Sequence, residues 1–202
     1  MGIQLGIRSL SAAAIAVVVL FLPRSTSAQS GTVTGAVTAK GLRTNADIVV
    51  SLQAPGLKLT PSAKPVVEMD QKGMLFIPHV LPVVTGTTVK FLNSDPVGHN
   101  VFSPEGKYNL GTWPRGDTKE YKFDKPGVYS QLCRVHAEME AYVVVLDTPY
   151  FATTDMTGAF AIKNVPPGMY TLVAWSEKLK EVKQPITIEA GKPVAVTLTL
   201  SH

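Results

Sequence analysis

The sequence predicts an all-β protein built as two small sandwiches. Three observations carry that prediction. Short runs of β-branched and aromatic residues recur along the chain, separated by Gly, Pro, Asn and Asp, which is the spacing of sandwich strands and their turns. No stretch carries the apolar spacing of an amphipathic helix. Two Pro-Gly-x-Tyr turns, Pro126-Gly127-Val128-Tyr129 and Pro167-Gly168-Met169-Tyr170, have unlike flanks and so mark two separate β units, not a repeat.

The first 28 residues read as a targeting segment. Arg8 supplies positive charge, Leu10 to Leu22 is apolar apart from Ser11, and the small residues Thr26 and Ala28 suit cleavage after Ala28. A signal peptide over residues 1–28 predicts a periplasmic or secreted protein. A spanning helix needs about 20 apolar residues. This run is shorter and no second long one follows, so no stable membrane span is expected after cleavage. Cleavage removes Arg8 and Arg24 and no acid, lowering the net charge from +4 to +2. With basic residues scattered rather than clustered, that balance argues against a nucleic-acid partner.

The expected strands follow in order. Thr32-Val33-Thr34-Gly35-Ala36-Val37 and Ile48-Val49-Val50-Ser51-Leu52 come first. A linker-like stretch, Ala54-Pro55-Gly56 to Pro65, precedes Thr88–Leu92, Tyr121–Phe123 and Tyr142–Leu146. Phe160–Ile162 and Val194–Leu200 close the chain, with Trp175 to Val182 expected as a loop. Residues 147–202 supply about four strands, too few to cover their own apolar face. Joined to residues 29–56 they make a plausible discontinuous sandwich, with residues 57–146 inserted. Insertion needs the inserted unit's ends to lie close together, as they commonly do. The alternative is a tandem order, with the first strands added to the edge of the central unit.

The chemistry centres on Cys133, the only cysteine. A lone thiol in an exported protein pairs between chains, reacts, or binds a metal. Here it lies in Cys133-Arg134-Val135-His136-Ala137-Glu138-Met139, and His99-Asn100 follows a strand upstream. One thiolate, two imidazoles and a thioether are the donor set of a blue-copper site. Structural zinc rarely takes Met. A trigonal site with a weak axial Met fully satisfies neither copper oxidation state, so the ion changes charge with little rearrangement.

The stretch from about Val66 to Leu146 resembles the cupredoxin family, Greek-key sandwiches that hold type 1 copper. The matching residues are Val89-Lys90-Phe91-Leu92-Asn93-Ser94-Asp95, Gly98-His99-Asn100-Val101-Phe102, and Pro126-Gly127-Val128-Tyr129 leading to Cys133. The spacing Cys-x2-His-x2-Met is similar to the short ligand loop of amicyanins. The resemblance implies one copper ion held by His99, Cys133, His136 and an axial Met139. It implies that Asn100 ties the two ligand loops together and that its backbone N–H reaches the Cys133 sulfur. The short loops of amicyanins and plastocyanins carry Pro where this chain has Val135. Val has an N–H, so a second donation to the sulfur is expected. His136 becomes the expected electron port, with small Ala137 beside it for partner approach and Arg134 and Glu138 as solvated charge.

The remaining chain resembles carboxypeptidase regulatory-like domains, small transthyretin-like sandwiches. The resemblance rests on Gly31–Thr38 and on Thr154-Asp155-Met156-Thr157-Gly158-Ala159-Phe160 through Asn164–Tyr170. It implies a folding or docking module without chemistry of its own.

The expected function is a periplasmic one-electron carrier that exchanges electrons with redox partner proteins. It is not expected to be an enzyme. The chain has no Gly-x-Ser-x-Gly, phosphate loop or His-Glu-x-x-His, and four His in total are too few for additional copper centres. The competing readings are a Cu(I) store or carrier and a structural or docking sandwich. His79 reads as a structural or surface histidine and His202 as a terminal one. Trp113 and Phe102 read as packing residues, and Arg115-Gly116-Asp117 as a polar turn.

Overall fold

The computed structural model describes Gly2 and residues 29–54 and 66–202. The proposed signal peptide and most of the first linker lie outside the described residues. Sixteen strands and no helix are found among the described residues. In chain order they are β1 (Gly31–Ala39), β2 (Val49–Gln53), β3 (Val66–Gln71), β4 (Phe76–Ile77), β5 (Val80–Val84), β6 (Thr87–Leu92), β7 (His99–Ser103) and β8 (Tyr108–Trp113). They continue with β9 (Thr118–Phe123), β10 (Gly127–Leu132), β11 (Glu140–Leu146), β12 (Phe151–Thr153), β13 (Ala159–Val165), β14 (Gly168–Trp175), β15 (Val182–Ile188) and β16 (Pro193–Leu200).

The strands form four sheets, with orders β13-β1-β16, β12-β2-β14-β15, β4-β3-β6-β9 and β5-β11-β10-β7-β8. The first two enclose one apolar core, including Val33, Val37, Val50, Leu52, Ile162, Leu172 and Leu200. The last two enclose another, including Met69, Val89, Phe91, Val101, Trp113, Phe123, Cys133 and Val143. In the second pair the chain crosses between sheets after β4, β5, β6, β8 and β9, as in Greek-key sandwiches. The first two strands of the chain therefore pair with the last five. β1 runs parallel to β16 from Thr32↔Pro193 to Ala39↔Leu200. β2 lies between β12 and β14. Residues 147–202 contribute five strands, one more than the sequence led us to expect, because the short β12 pairs with β2.

Burial explains the strand patterns. β6 alternates fully, and its inward residues Thr87, Val89 and Phe91 are all buried. That is the signature of a strand with one solvated face. By contrast, β2 is buried over four consecutive residues. Val50 and Leu52 enter their own sandwich core, whereas Val49 packs with Val80 of β5 and Val144 of β11 in a third, smaller cluster. Val128, Tyr142, Leu146 and Trp175 complete that cluster. The two sandwiches thus meet across an apolar seam. A polar contact borders it, with His79 Nε2 2.9 Å from a Glu177 carboxylate oxygen.

Both Pro-Gly-x-Tyr turns are closed in the same way. The Tyr129 hydroxyl donates to the Lys125 carbonyl at 3.0 Å, and the Tyr170 hydroxyl donates to the Pro166 carbonyl at 3.0 Å. Gly158 is sterically required. It ends the Asp155–Gly158 turn at φ 88°, and a Cβ there would sit 2.1 Å from the Val37 carbonyl oxygen. That position excludes any larger residue.

Candidate metal centre

Two segments build the site. His99 opens β7, and Cys133, His136 and Met139 lie on the loop between β10 and β11. β10 is hydrogen-bonded to β7 at Leu132↔Phe102, so the two segments are held side by side at one end of the sandwich. The loop folds back on itself through its own backbone. The Cys133 N–H donates to the Met139 carbonyl at 3.3 Å, and the Met139 N–H donates to the His136 carbonyl at 3.1 Å.

The structure brings three predicted residues together. Donor atoms of His99, Cys133 and His136 all lie within 4.8 Å of one another. His99 Nδ1 and His136 Nδ1 are 3.1 Å apart. Their rings meet edge-on, with centroids 4.8 Å apart. His99 is wholly enclosed, Cys133 is nearly so, and His136 is half-buried where the loop meets solvent. Met139 is buried in the same apolar cluster as Cys133.

Asn100 ties the two segments. Its backbone N–H donates to the Cys133 sulfur at 3.4 Å. Its side-chain oxygen accepts the Arg134 N–H at 3.4 Å, and its amide donates to Asn109 Oδ1 and the Gly111 carbonyl, both at 2.8 Å. The expected second N–H to the sulfur is not made. Among the described residues Asn100 alone donates to it, and Val135 is exposed on the bend. Replacing Pro with a residue that has an N–H supplies a donor but not its direction, which the loop backbone sets.

Asp95 stands outside the predicted ligand set. Its carboxylate lies 2.8 Å from His99 Nε2 and also accepts N–H bonds from Gly73 at 2.6 Å and Met74 at 2.8 Å. Burial pushes this carboxyl up, but hydrogen bonds from Met74, Gly73 and His99 outweigh it and hold the group below the usual carboxylate range. An Asp four residues before a ligand His was visible in the sequence. Its pairing with a loop some twenty residues upstream was not.

The other singled-out residues fall elsewhere. Trp113 sits opposite His99 in the β7–β8 ladder and is buried. Phe102 carries the Arg134 guanidinium over its ring at 4.8 Å. His79 bonds the Glu140 carbonyl and Glu177 at the seam. Arg115-Gly116-Asp117 is an exposed turn, with Gly116 donating to the Asn93 carbonyl. His202 is exposed at the chain end.

The donor set fits copper. Soft sulfur and two imidazoles converge in a mostly apolar cage, with no carboxylate among the converging donors to attract a hard cation. Residues 63–146 match the family model for copper binding proteins, plastocyanin/azurin family. Residues 136–201 match the model for the carboxypeptidase regulatory-like domain. The two matches overlap on 136–146, and neither includes β1 or β2.

Solved structures similar to the chain include a purple cupredoxin from Nitrosopumilus maritimus, at 28% identity and TM-score 0.37, covering 40% of this chain and 99% of that one. A reduced Cu(I) amicyanin variant is similar at 22% identity and TM-score 0.39, covering 48% and 98%. A copper-containing nitrite reductase from Thermus scotoductus SA-01 is similar at 23% identity and TM-score 0.39, covering 55% of this chain and 28% of that one. No curated protein sequence matches the chain. The part of the chain that matches the copper-binding family model is an all-β sandwich with a His-Cys-His cluster at one end.

Proposed function

We propose that this protein is an exported one-electron carrier. His99, Cys133, His136 and Met139 would hold its single type 1 copper ion. The observation that carries the reading is the convergence of the Cys133 sulfur with a ring nitrogen of each of two imidazoles, whose Nδ1 atoms lie 3.1 Å apart, in a braced and mostly buried cluster. A bound copper ion supplies the change between Cu(I) and Cu(II), and everything else is done by the chain. Asn100 and the Cys133–Met139 backbone bonds hold the loop in one geometry, which keeps rearrangement between oxidation states small. The apolar core around Cys133 excludes water.

His136 is the outlet for the electron, because it alone of the three converging residues reaches solvent. Exposed Val97 and Val135 lie beside the two ligand segments and offer a partner an apolar approach. On this reading the partners are redox proteins that dock end-on, after export to the periplasm or beyond. The unit formed by residues 29–56 and 147–202 is a discontinuous sandwich that carries the copper unit, residues 57–146, as an insertion. The pairing of β1 and β2 with β12–β16 supports that division.

The test is titration of the purified protein with Cu(II). An intense thiolate-to-copper band that a reductant bleaches reversibly is expected, and Cys133→Ser should abolish it. Tight Cu(I) binding without the band would favour storage. No metal binding would leave only a docking sandwich.

A further inference from the structure

We infer that Asp95 is a positioning residue for the copper ligand His99, fixing which ring nitrogen faces the metal. The inference rests on the carrier reading above and adds a residue outside the ligand set. His99 is wholly buried and Asp95 is 7% exposed, and Nε2 and the Asp95 carboxylate lie 2.8 Å apart. An ionised carboxylate only accepts hydrogen bonds, so Nε2 carries the ring proton in this contact. Nδ1 is then left with its lone pair, and it faces His136 Nδ1 at 3.1 Å, where the donors converge.

The carboxylate is itself fixed from several directions. Gly73 and Met74 donate to it from the turn joining β3 to β4. The Asp95 N–H donates to Asn93 Oδ1 at 2.9 Å. The Asn93 amide in turn donates to the carbonyls of Val97 at 2.9 Å and Trp113 at 3.0 Å. Turning the His99 ring would therefore break its bond to a carboxylate tied to the β3–β4 turn and, through Asn93, to Val97 and the end of β8.

A carboxylate behind a ligand imidazole raises its basicity and fixes its orientation, and loss of such a partner typically costs about 10–100-fold in metal affinity. Greater basicity favours the more highly charged ion. Asp95 thereby tunes the balance between Cu(II) and Cu(I), besides holding the ring.

Two measurements test this. In the metal-free protein, nitrogen-15 NMR of the imidazoles should show His99 as the Nε2–H tautomer, and an Nδ1–H tautomer overturns the proposal whether or not copper binds. In Asp95→Asn, Cu(II) affinity should fall about 10–100-fold and Cu(I) affinity less. A tenfold loss confined to Cu(II) raises the potential by about 59 mV. A folded Asp95→Asn with unchanged potential and Cu(II) affinity reduces Asp95 to a loop cap and overturns the proposal. Failure of the wild-type protein to form a thiolate–Cu(II) band would sink the carrier reading instead, and the tautomer would still decide the role of Asp95.

Discussion

The two sandwiches close alike and differ in what they bury. Each ends a turn with Pro-Gly-x-Tyr, and each tyrosine hydroxyl returns to the carbonyl four residues back. The sandwich of β1, β2 and β12–β16 has an almost wholly aliphatic core, and its buried polar side chains are small: Ser51, Thr148, Thr154 and Ser176. The sandwich of β3–β11 buries Gln71, Asn93, Asp95, His99, Asn100 and Gln131. Most of these brace the metal end. The side chains of Asn93, Asp95 and Asn100 alone bond the backbone of the Gly73–Met74 turn, of Val97, of β8 and of Arg134. Buried polar groups cost free energy unless they are paired. The first sandwich carries few such groups, whereas the second carries a network around the cluster in which Asn93, Asp95 and Asn100 are paired, and among the described residues it also holds the unpaired atoms Asp70 Oδ1, Gln71 Oε1, Thr87 Oγ1 and Trp113 Nε1.

That contrast can be broken by experiment. The largest effect is expected from Leu172→Ala, because Leu172 is fully buried in the aliphatic core. Truncation there should cost about 2–5 kcal/mol. Hydrogen exchange should accelerate in β1, β13 and β14 and stay unchanged in β7 and β10. Equal acceleration in both would show that the seam at Val49, Val80 and Val144 makes the two sandwiches one folding unit.

The matched pair Tyr129→Phe and Tyr170→Phe sharpens the comparison at a smaller scale. Each removes one hydroxyl–carbonyl bond, worth about 1 kcal/mol. Tyr170 is 5% exposed whereas the Tyr129 bond is open to water, so Tyr170→Phe should lower the melting temperature more. The reverse order would mean that the sandwich of β3–β11, not the aliphatic one, depends on its turn.

The smallest effect lies at the seam. Burial raises the Glu177 carboxyl, but hydrogen bonds from Lys178 and His79 outweigh it and leave the group below the ordinary glutamate range. A folded value below the unfolded one stabilises at pH above the ordinary range. That stabilisation drains away as pH falls through the lowered value. Glu177→Gln should remove this acid-side dependence, seen in urea midpoints measured against pH. At neutral pH the cost should stay within about 1 kcal/mol, since the His79 partner is half-exposed.

Much of this molecule is readable along the chain. The alternation in Thr87–Leu92 marks a strand with one wet face, and the structure places β6 there. Cys133, His136 and Met139 fall within seven residues, so their loop is a local feature. His99 joins them because β7 and β10 are neighbours, which the family resemblance implied and local pattern did not. Val135 shows the limit within a loop: its residue type offers an N–H, but the bend turns it away from the sulfur.

Sequence alone determined the element types, the donor chemistry and the loop spacing, because each depends on residues a few positions apart. Only the tertiary structure decided that β1 lies parallel to β16, that Asp95 stands behind His99, and that Glu177 meets His79. Those contacts join segments whose separation along the chain carries no periodic or steric signal. They exist because packing two sheets against each other brings particular faces within hydrogen-bond range.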